Sequence, residues 1–189
     1  MDSRAIVNQI IESDLAYAAG LIDGEGAIEI QEEHSKNTNK TPKFYVKVRV
    51  HITSQWIVCW LRRTFSGYVC TNRKRPLTGR KISYAWGLQG TKAVNFLKAI
   101  FPYLKIKPAQ AILAEYFQNT FIQHSGWKLK VPDKDIDRKR YLKSVMSGLN
   151  HGYDFNIEEV IRSDRLRKNH SNNLRIEAEK DKDSTTICS

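Results

Sequence analysis

Between residues 27 and 52 the chain alternates apolar and polar residues twice over, and no other pattern in it restricts the fold as sharply. Ile28 and Ile30 are interleaved with Glu29, Gln31 and Glu33, and Phe44, Val46, Val48, Val50 and Ile52 with Tyr45, Lys47, Arg49 and His51. A period of two sends successive side chains to opposite faces of an extended strand. Residues 27–33 and 44–52 are therefore predicted to be half-buried strands, joined by the polar loop HSKNTNKTP.

Around this pair the period lengthens. Residues 14–22 are dense enough in apolar side chains for a helix, with Ser13 or Asp14 placed to cap it and Gly24 and Gly26 to end it. Trp56, Ile57, Trp60, Leu61 and Phe65 have helical spacing between 54 and 65, and Gly67 opens a third strand through Cys70 and Asn72. The basic turn RKRPLTGRK leads into a fourth strand, 82–88, with Tyr84, Trp86 and Leu88 on one side. Thr91 is placed to cap a helix reaching Ile100, Pro102 stops it, and Pro108 suits the first turn of the next, where a missing N–H costs nothing. Helices are expected again over about 133–149 and after Asn156, which has Glu159 at capping-box spacing.

The 189 residues suit one domain with a continuous core. Residues 1–124 form the predicted core, 125–168 a helical extension of the same domain, and 169–189 a polar tail expected to be mobile. No internal repeat occurs. A formal net charge of +11 calls for a polyanionic partner, nucleic acid first and an anionic membrane second. No window carries the apolar run of a spanning helix, the first residues lack signal-peptide order, and no amphipathic anchor helix is evident, so no membrane partner is expected. Cys59, Cys70 and Cys188 are odd in number and without CxxC spacing, which favours free thiols in a reducing compartment over a disulfide framework or a zinc site.

The segment YAAGLIDGEG, residues 17–26, sets two acids among three glycines. Ala16, Ala19, Gly20 and Asp23 follow one another by three and four residues, a helix face with almost no bulk. Such a face serves close packing inside one chain or the backbone-to-backbone approach of two helices. Asp23 and Glu25 fall at the negative end of the helix macrodipole, which disfavours a carboxylate by roughly 0.3–1 kcal/mol. Turn amides answer this for Asp23. For Glu25 a hard divalent cation does, with the Gly24 carbonyl beside it.

AAGLIDGEG resembles the defining motif of the LAGLIDADG homing endonucleases, matching at Ala19, Gly20, Leu21, Ile22, Asp23 and Gly26, with Ala18, Gly24 and Glu25 at the other three places. HIT at the end of the second strand, GYV opening the third, FPYLKIKPAQA and a later PDK extend the resemblance over most of the chain. It is nearest to the single-motif members that act as homodimers. The resemblance implies an α+β fold of αββαββα order, an antiparallel sheet saddle with C-terminal helices. It implies motif helices at the subunit interface through Ala16, Ala19, Gly20 and Asp23, and Mg²⁺ held by the Glu25 carboxylate and the Gly24 carbonyl. Mn²⁺ would substitute, and Ca²⁺ would bind without turnover. Lys107 would lie by the scissile phosphate, the competing view being a solvated lysine in KIK.

The sequence departs from the family where a glutamine and then a basic residue often end the second strand. Here Ser54 and Gln55 are followed by Val58, leaving Gln55 to organise solvent. Glu25 for the usual aspartate adds one methylene, enough to shift an ion in an octahedral site.

The polar faces of the strands carry Glu29, Gln31, Glu33, Tyr45, Lys47, Arg49 and His51, to which the second hairpin adds Cys70, Asn72, Lys74, Arg80, Lys81 and Ser83. Their donors and acceptors suit base edges in a major groove, and the turn charges suit phosphates, although an ordinary solvated sheet face has the same composition. A nine-residue strand reaches ~30 Å, about nine base pairs at 3.4 Å per step, so a twofold dimer covers roughly twenty nearly palindromic pairs. The implied activity is that of an intron-encoded, mobile-element nuclease hydrolysing one phosphodiester per strand of double-stranded DNA, leaving short 3′ overhangs. An intron RNA maturase and a non-cleaving DNA-binding protein remain open on the same fold. An organelle (mitochondrion or chloroplast) and a prokaryotic or phage-host cytoplasm suit either.

Overall fold

In a computed structural model, residues 10–34, 42–72, 82–121 and 133–168 are described. The elements are α1 (Glu12–Glu25), β1 (Gly26–Glu33), β2 (Lys43–Ile52), α2 (Gln55–Phe65), β3 (Tyr68–Asn72), β4 (Ser83–Gln89), α3 (Thr91–Ile100), a 3₁₀ turn (Phe101–Tyr103), α4 (Pro108–Phe121) and α5 (Asp133–Asn150). A last helix, α6, spans 157–168. The class is α+β and the element order is the expected one. The four strands form one antiparallel sheet in the order β1-β2-β4-β3. Among the described residues no helix is long and apolar enough to cross a membrane.

One face of the sheet is apolar and carries the helices. Ile28, Ile30, Val46, Val48, Val50, Trp86 and Leu88 point into a core completed by Ala18, Ala19 and Ile22 of α1, Leu61 of α2, Leu97 and Ile100 of α3 and Leu113 and Phe117 of α4. β1 and β2 thus show the alternating burial that betrayed them, whereas β4 is buried without interruption from Ala85 to Leu88.

Several boundaries differ from expectation for identifiable reasons. Ser13 and Asp14 lie inside α1, whose N-cap is Ile11 without a side-chain cap; Glu12 and Asp14 occupy the first turn, where acids are favoured by the dipole. Gly24 does not end the helix, which runs to Glu25 and passes into β1 with no linker. Gly26 makes that junction possible, because a Cβ there would come 2.6 Å from the Ile22 Cα. Thr91 is the first residue of α3 rather than its cap, a place taken by Gly90 with φ 59°.

The C-terminal helices are tied down by a buried charge network. Arg138 of α5 makes two bonds to Asp164 of α6, Nε to Oδ1 at 3.0 Å and Nη2 to Oδ2 at 2.6 Å, and Tyr116 of α4 donates to the same Oδ2 at 2.7 Å. Asp164 is fully buried. Asn156 caps α6 by accepting the Glu159 N–H at 3.2 Å, as the spacing predicted. At the other end of α5, Asn150 donates to the Ile28 carbonyl at 2.9 Å and so occupies a free acceptor on the edge strand β1. Arg140 and Lys143 reach Glu32, whose carboxyl is held below the usual range because their bonds outweigh the cost of its burial.

Removing one partner of a buried ion pair leaves the other charge uncompensated. Asp164→Asn is expected to destabilise the chain by about 3 kcal/mol, read as a lower urea midpoint at unchanged slope.

Candidate nucleic-acid interface and metal-binding helix end

The sheet face opposite the core gathers the residues expected to contact nucleic acid. The register pairs Glu29 with Lys47, Gln31 with Tyr45, Arg49 with Gly87, His51 with Ala85, Cys70 with Ala85 and Asn72 with Ser83. Glu33 ends β1 on the same side, opposite Lys43. Lys74, Arg80 and Lys81 lie outside the described residues. Tyr68 and Gln89 belong to the face as well, opposite Gly87 and Lys47. Gln89 lies one residue beyond the expected end of β4 at Leu88, while Tyr68 falls inside the expected third strand, in phase with Cys70 and Asn72, and the two-residue period was enough to place it on this face.

The α1 helix divides differently from its predicted small face. Ala19 is fully buried with Ala18 and Ile22 against the chain's own core, while Ala16, Tyr17, Gly20 and Gly24 are exposed. Steps of four residues stay on the outer side, and a step of three turns inward. A Cβ at Gly20 or Gly24 would meet nothing within 4 Å.

At the C-terminus of α1 the segment 105–107 locks on. The Asp23 carboxylate accepts the backbone N–H of Lys105 at 2.7 Å and of Lys107 at 3.0 Å, the turn-amide role expected of it. The Lys107 ammonium donates to the carbonyls of Ile22 at 2.7 Å, Asp23 at 2.9 Å and Gly26 at 2.7 Å. All three of its protons are used, on the oxygens where the helix dipole concentrates negative charge. Burial pushes this ammonium down from its ordinary pKa, an effect that the nearby Asp23 and Glu25 partly offset. Lys107 is thus a cap on the motif helix rather than a solvated lysine.

Lys107 passes over the Gly24 carbonyl, and no side-chain donor among the described residues reaches that oxygen. Glu25 is exposed. A carboxylate and a carbonyl side by side are the hard oxygen donors that Mg²⁺ takes, and that ion keeps several waters while binding one or two carboxylates plus phosphates. Among the described residues no three or more His, Cys, Asp or Glu side chains come together. One chain therefore offers a partial ligand set that fits the ion once further oxygens are supplied. Gln55 is the exposed first residue of α2, three beyond the end of β2, and the pairing of Gly26 with Val50 puts that end of β2 beside the helix terminus.

Lys107→Met keeps the length and removes three charge-assisted bonds. It is expected to cost about 2 kcal/mol, with amide exchange rising first in the last turn of α1.

No family model and no curated protein matches the sequence. Solved structures do. The homing endonuclease I-CvuI, crystallised with the I-CreI target in the presence of Mg with the DNA not cleaved, is 21% identical with a TM-score of 0.58, over 80% of this chain and 92% of that one. The archaeal intron-encoded homing endonuclease I-Vdi141I, complexed with DNA, is 12% identical with a TM-score of 0.58, over 82% and 97%. The LAGLIDADG meganuclease I-AabMI, bound to uncleaved DNA, is 15% identical with a TM-score of 0.52, over 78% of this chain and 48% of that one. The chain, with residues 18–26 closing its first helix and opening β1, has the fold of the LAGLIDADG homing endonucleases.

Proposed function

We propose that the protein is a site-specific DNA endonuclease that works as a homodimer, hydrolysing one phosphodiester in each strand of a long, nearly palindromic duplex. The observation that carries this is the outer side of α1. Glycine in a helix interior, as at Gly20, costs about 1 kcal/mol relative to alanine, yet among the described residues nothing lies within 4 Å of a Cβ placed at Gly20 or Gly24. A second backbone approaching that side does need it. Two copies packed there bring two Glu25 carboxylates and two Gly24 carbonyls together at the dimer axis, which completes the partial ligand set. Tyr17, stacked edge-on against Trp60 at 5.2 Å, borders the contact.

The sheet face supports DNA as the substrate. Among the described residues no helix covers it, it carries Lys47, Arg49, Gln31 and Asn72 beside the acids Glu29 and Glu33, and strands of the length of β1 and β2 span about nine base pairs each. The structural relatives were themselves crystallised on DNA.

A divalent ion, Mg²⁺ above all, supplies Lewis-acid stabilisation of the attacking and leaving oxygens when bound. Glu25 and the Gly24 carbonyl would hold it. Lys107 keeps the last turn of α1 intact and so keeps both ligands in place, and it adds positive potential near the phosphate. Gln55, at the start of α2, orders solvent beside the helix end. Short 3′ overhangs are the expected product. The acid at position 25 supports cutting over simple DNA binding.

Two variants test the proposal on plasmid carrying a duplex chosen by selection. Glu25→Gln is expected to reduce Mg²⁺-dependent double-strand cutting ~100-fold or more, the scale on which loss of one charge-stabilising group acts, with affinity retained. Tight intron RNA binding without cutting would replace the nuclease by a maturase. Gly20→Leu is expected to leave the monomer folded, yield monomers by sedimentation and abolish cutting; a persisting dimer would remove the α1 interface.

A further inference from the structure

The outer sheet face contains one side chain that its neighbours hold in place for a task none of them share. Arg49 sits in a row across the sheet with Ala27 on one side and Gly87 on the other. Both are small, so the long side chain is free to lie along the sheet. It runs diagonally to Glu29, whose Oε1 accepts from Nη2, while Gln31 Nε2 donates to Oε2 of the same carboxylate at 2.6 Å. Diagonal cross-strand pairs lie within reach of long side chains. The Arg49 Nε is buried without a partner, and Nη1 has no acceptor among the described residues.

The glycine in that row has its own reason. A Cβ at Gly87 would come 2.6 Å from the Tyr68 hydroxyl and 2.7 Å from its ring, so Tyr68 lies across the position facing Arg49. Lys47 stands directly opposite Glu29, yet its ammonium lies over the Tyr68 ring, 5.9 Å from the centroid. The two cations of β2 are thereby sorted, Arg49 toward the acid of β1 and Lys47 toward the aromatic ring of β3.

Resting on the DNA reading of this face, we infer that Arg49 is the guanine reader of the site and that Glu29 is a positioning residue rather than a reader of cytosine. Each Glu29 oxygen already holds a donor, so the orientation of this carboxylate is set by Arg49 and Gln31 within the sheet rather than by a base. Arg49 presents its open Nη1 end, in a plane set by the ion pair, to the O6 and N7 acceptors that a G·C pair shows in the major groove.

The test uses the full chain carrying Glu25→Gln, so that binding is read without turnover, and a duplex library randomised over both half-sites. The parent is expected to select guanine at one pair per half-site, preferred about 5- to 150-fold. Arg49→Lys, which keeps the charge and loses the planar fork, is expected to erase that preference while non-specific affinity at low salt is retained. Glu29→Gln is expected to weaken the preference at the same pair and at no other. A Glu29→Gln change at a different pair would make Glu29 a reader in its own right and overturn the inference, as would Arg49→Lys leaving every preference intact. A parent that enriches no sequence would refute DNA reading itself, and the inference with it.

Discussion

The grip of Lys107 on the end of α1 is the interaction from which the rest of the site is built. The last carbonyls of an α-helix lack the full set of intrahelical donors, and here the ammonium binds two of them, Ile22 and Asp23, together with the Gly26 carbonyl that opens β1, while the Asp23 carboxylate binds the backbone that carries it. The two halves of this clasp are more than eighty residues apart in sequence. It cannot form until the sheet and α3 have closed the loop between them. Of the five carbonyls from Ile22 to Gly26 the ammonium takes three and leaves those of Gly24 and Glu25.

Much of this architecture was legible in the residues. Strict alternation in β1 and β2 specified both faces of the sheet, since a slip of one residue would have put Val46, Val48 and Val50 into water. The turn role of Asp23 and the cap at Asn156 followed from local chemistry, in which a side chain bonds to backbone a few residues away or at a helix end. What stayed hidden depends on distant partners. Ala19 reads as a candidate for contact with another helix, yet it is buried at home, and only the packing of α1 on β2 and α3 distinguishes its side from that of Gly20. Lys107 in KIK looks like any exposed lysine until the helix end is laid against it.

The C-terminal network obeys the same logic. Asp164 lies in a stretch, VIRSDRL, that reads as a surface helix, and nothing local marks that aspartate as buried. Its partners Arg138 and Tyr116 come from two other helices. Glu32, by contrast, betrays itself faintly, because it continues the inward phase of Ile28 and Ile30. An acid on a core-facing position implies a cation arriving from elsewhere, and α5 supplies two. Helix α5 is thus fastened along β1 at one end and to α6 at the other.

The seamless passage from Glu25 to Gly26 has a mechanical consequence. With no linker, the carboxylate at the helix tip and the outward side chains of β1 belong to one stiff backbone rod, kept short by the Gly26–Ile22 approach. In the nuclease proposed above the chain would be a ruler: the span from the bases facing β1 to the bond to be cut would be counted in peptide units. Sliding along the helix groove would carry recognition and scission together, and neither could drift without the other.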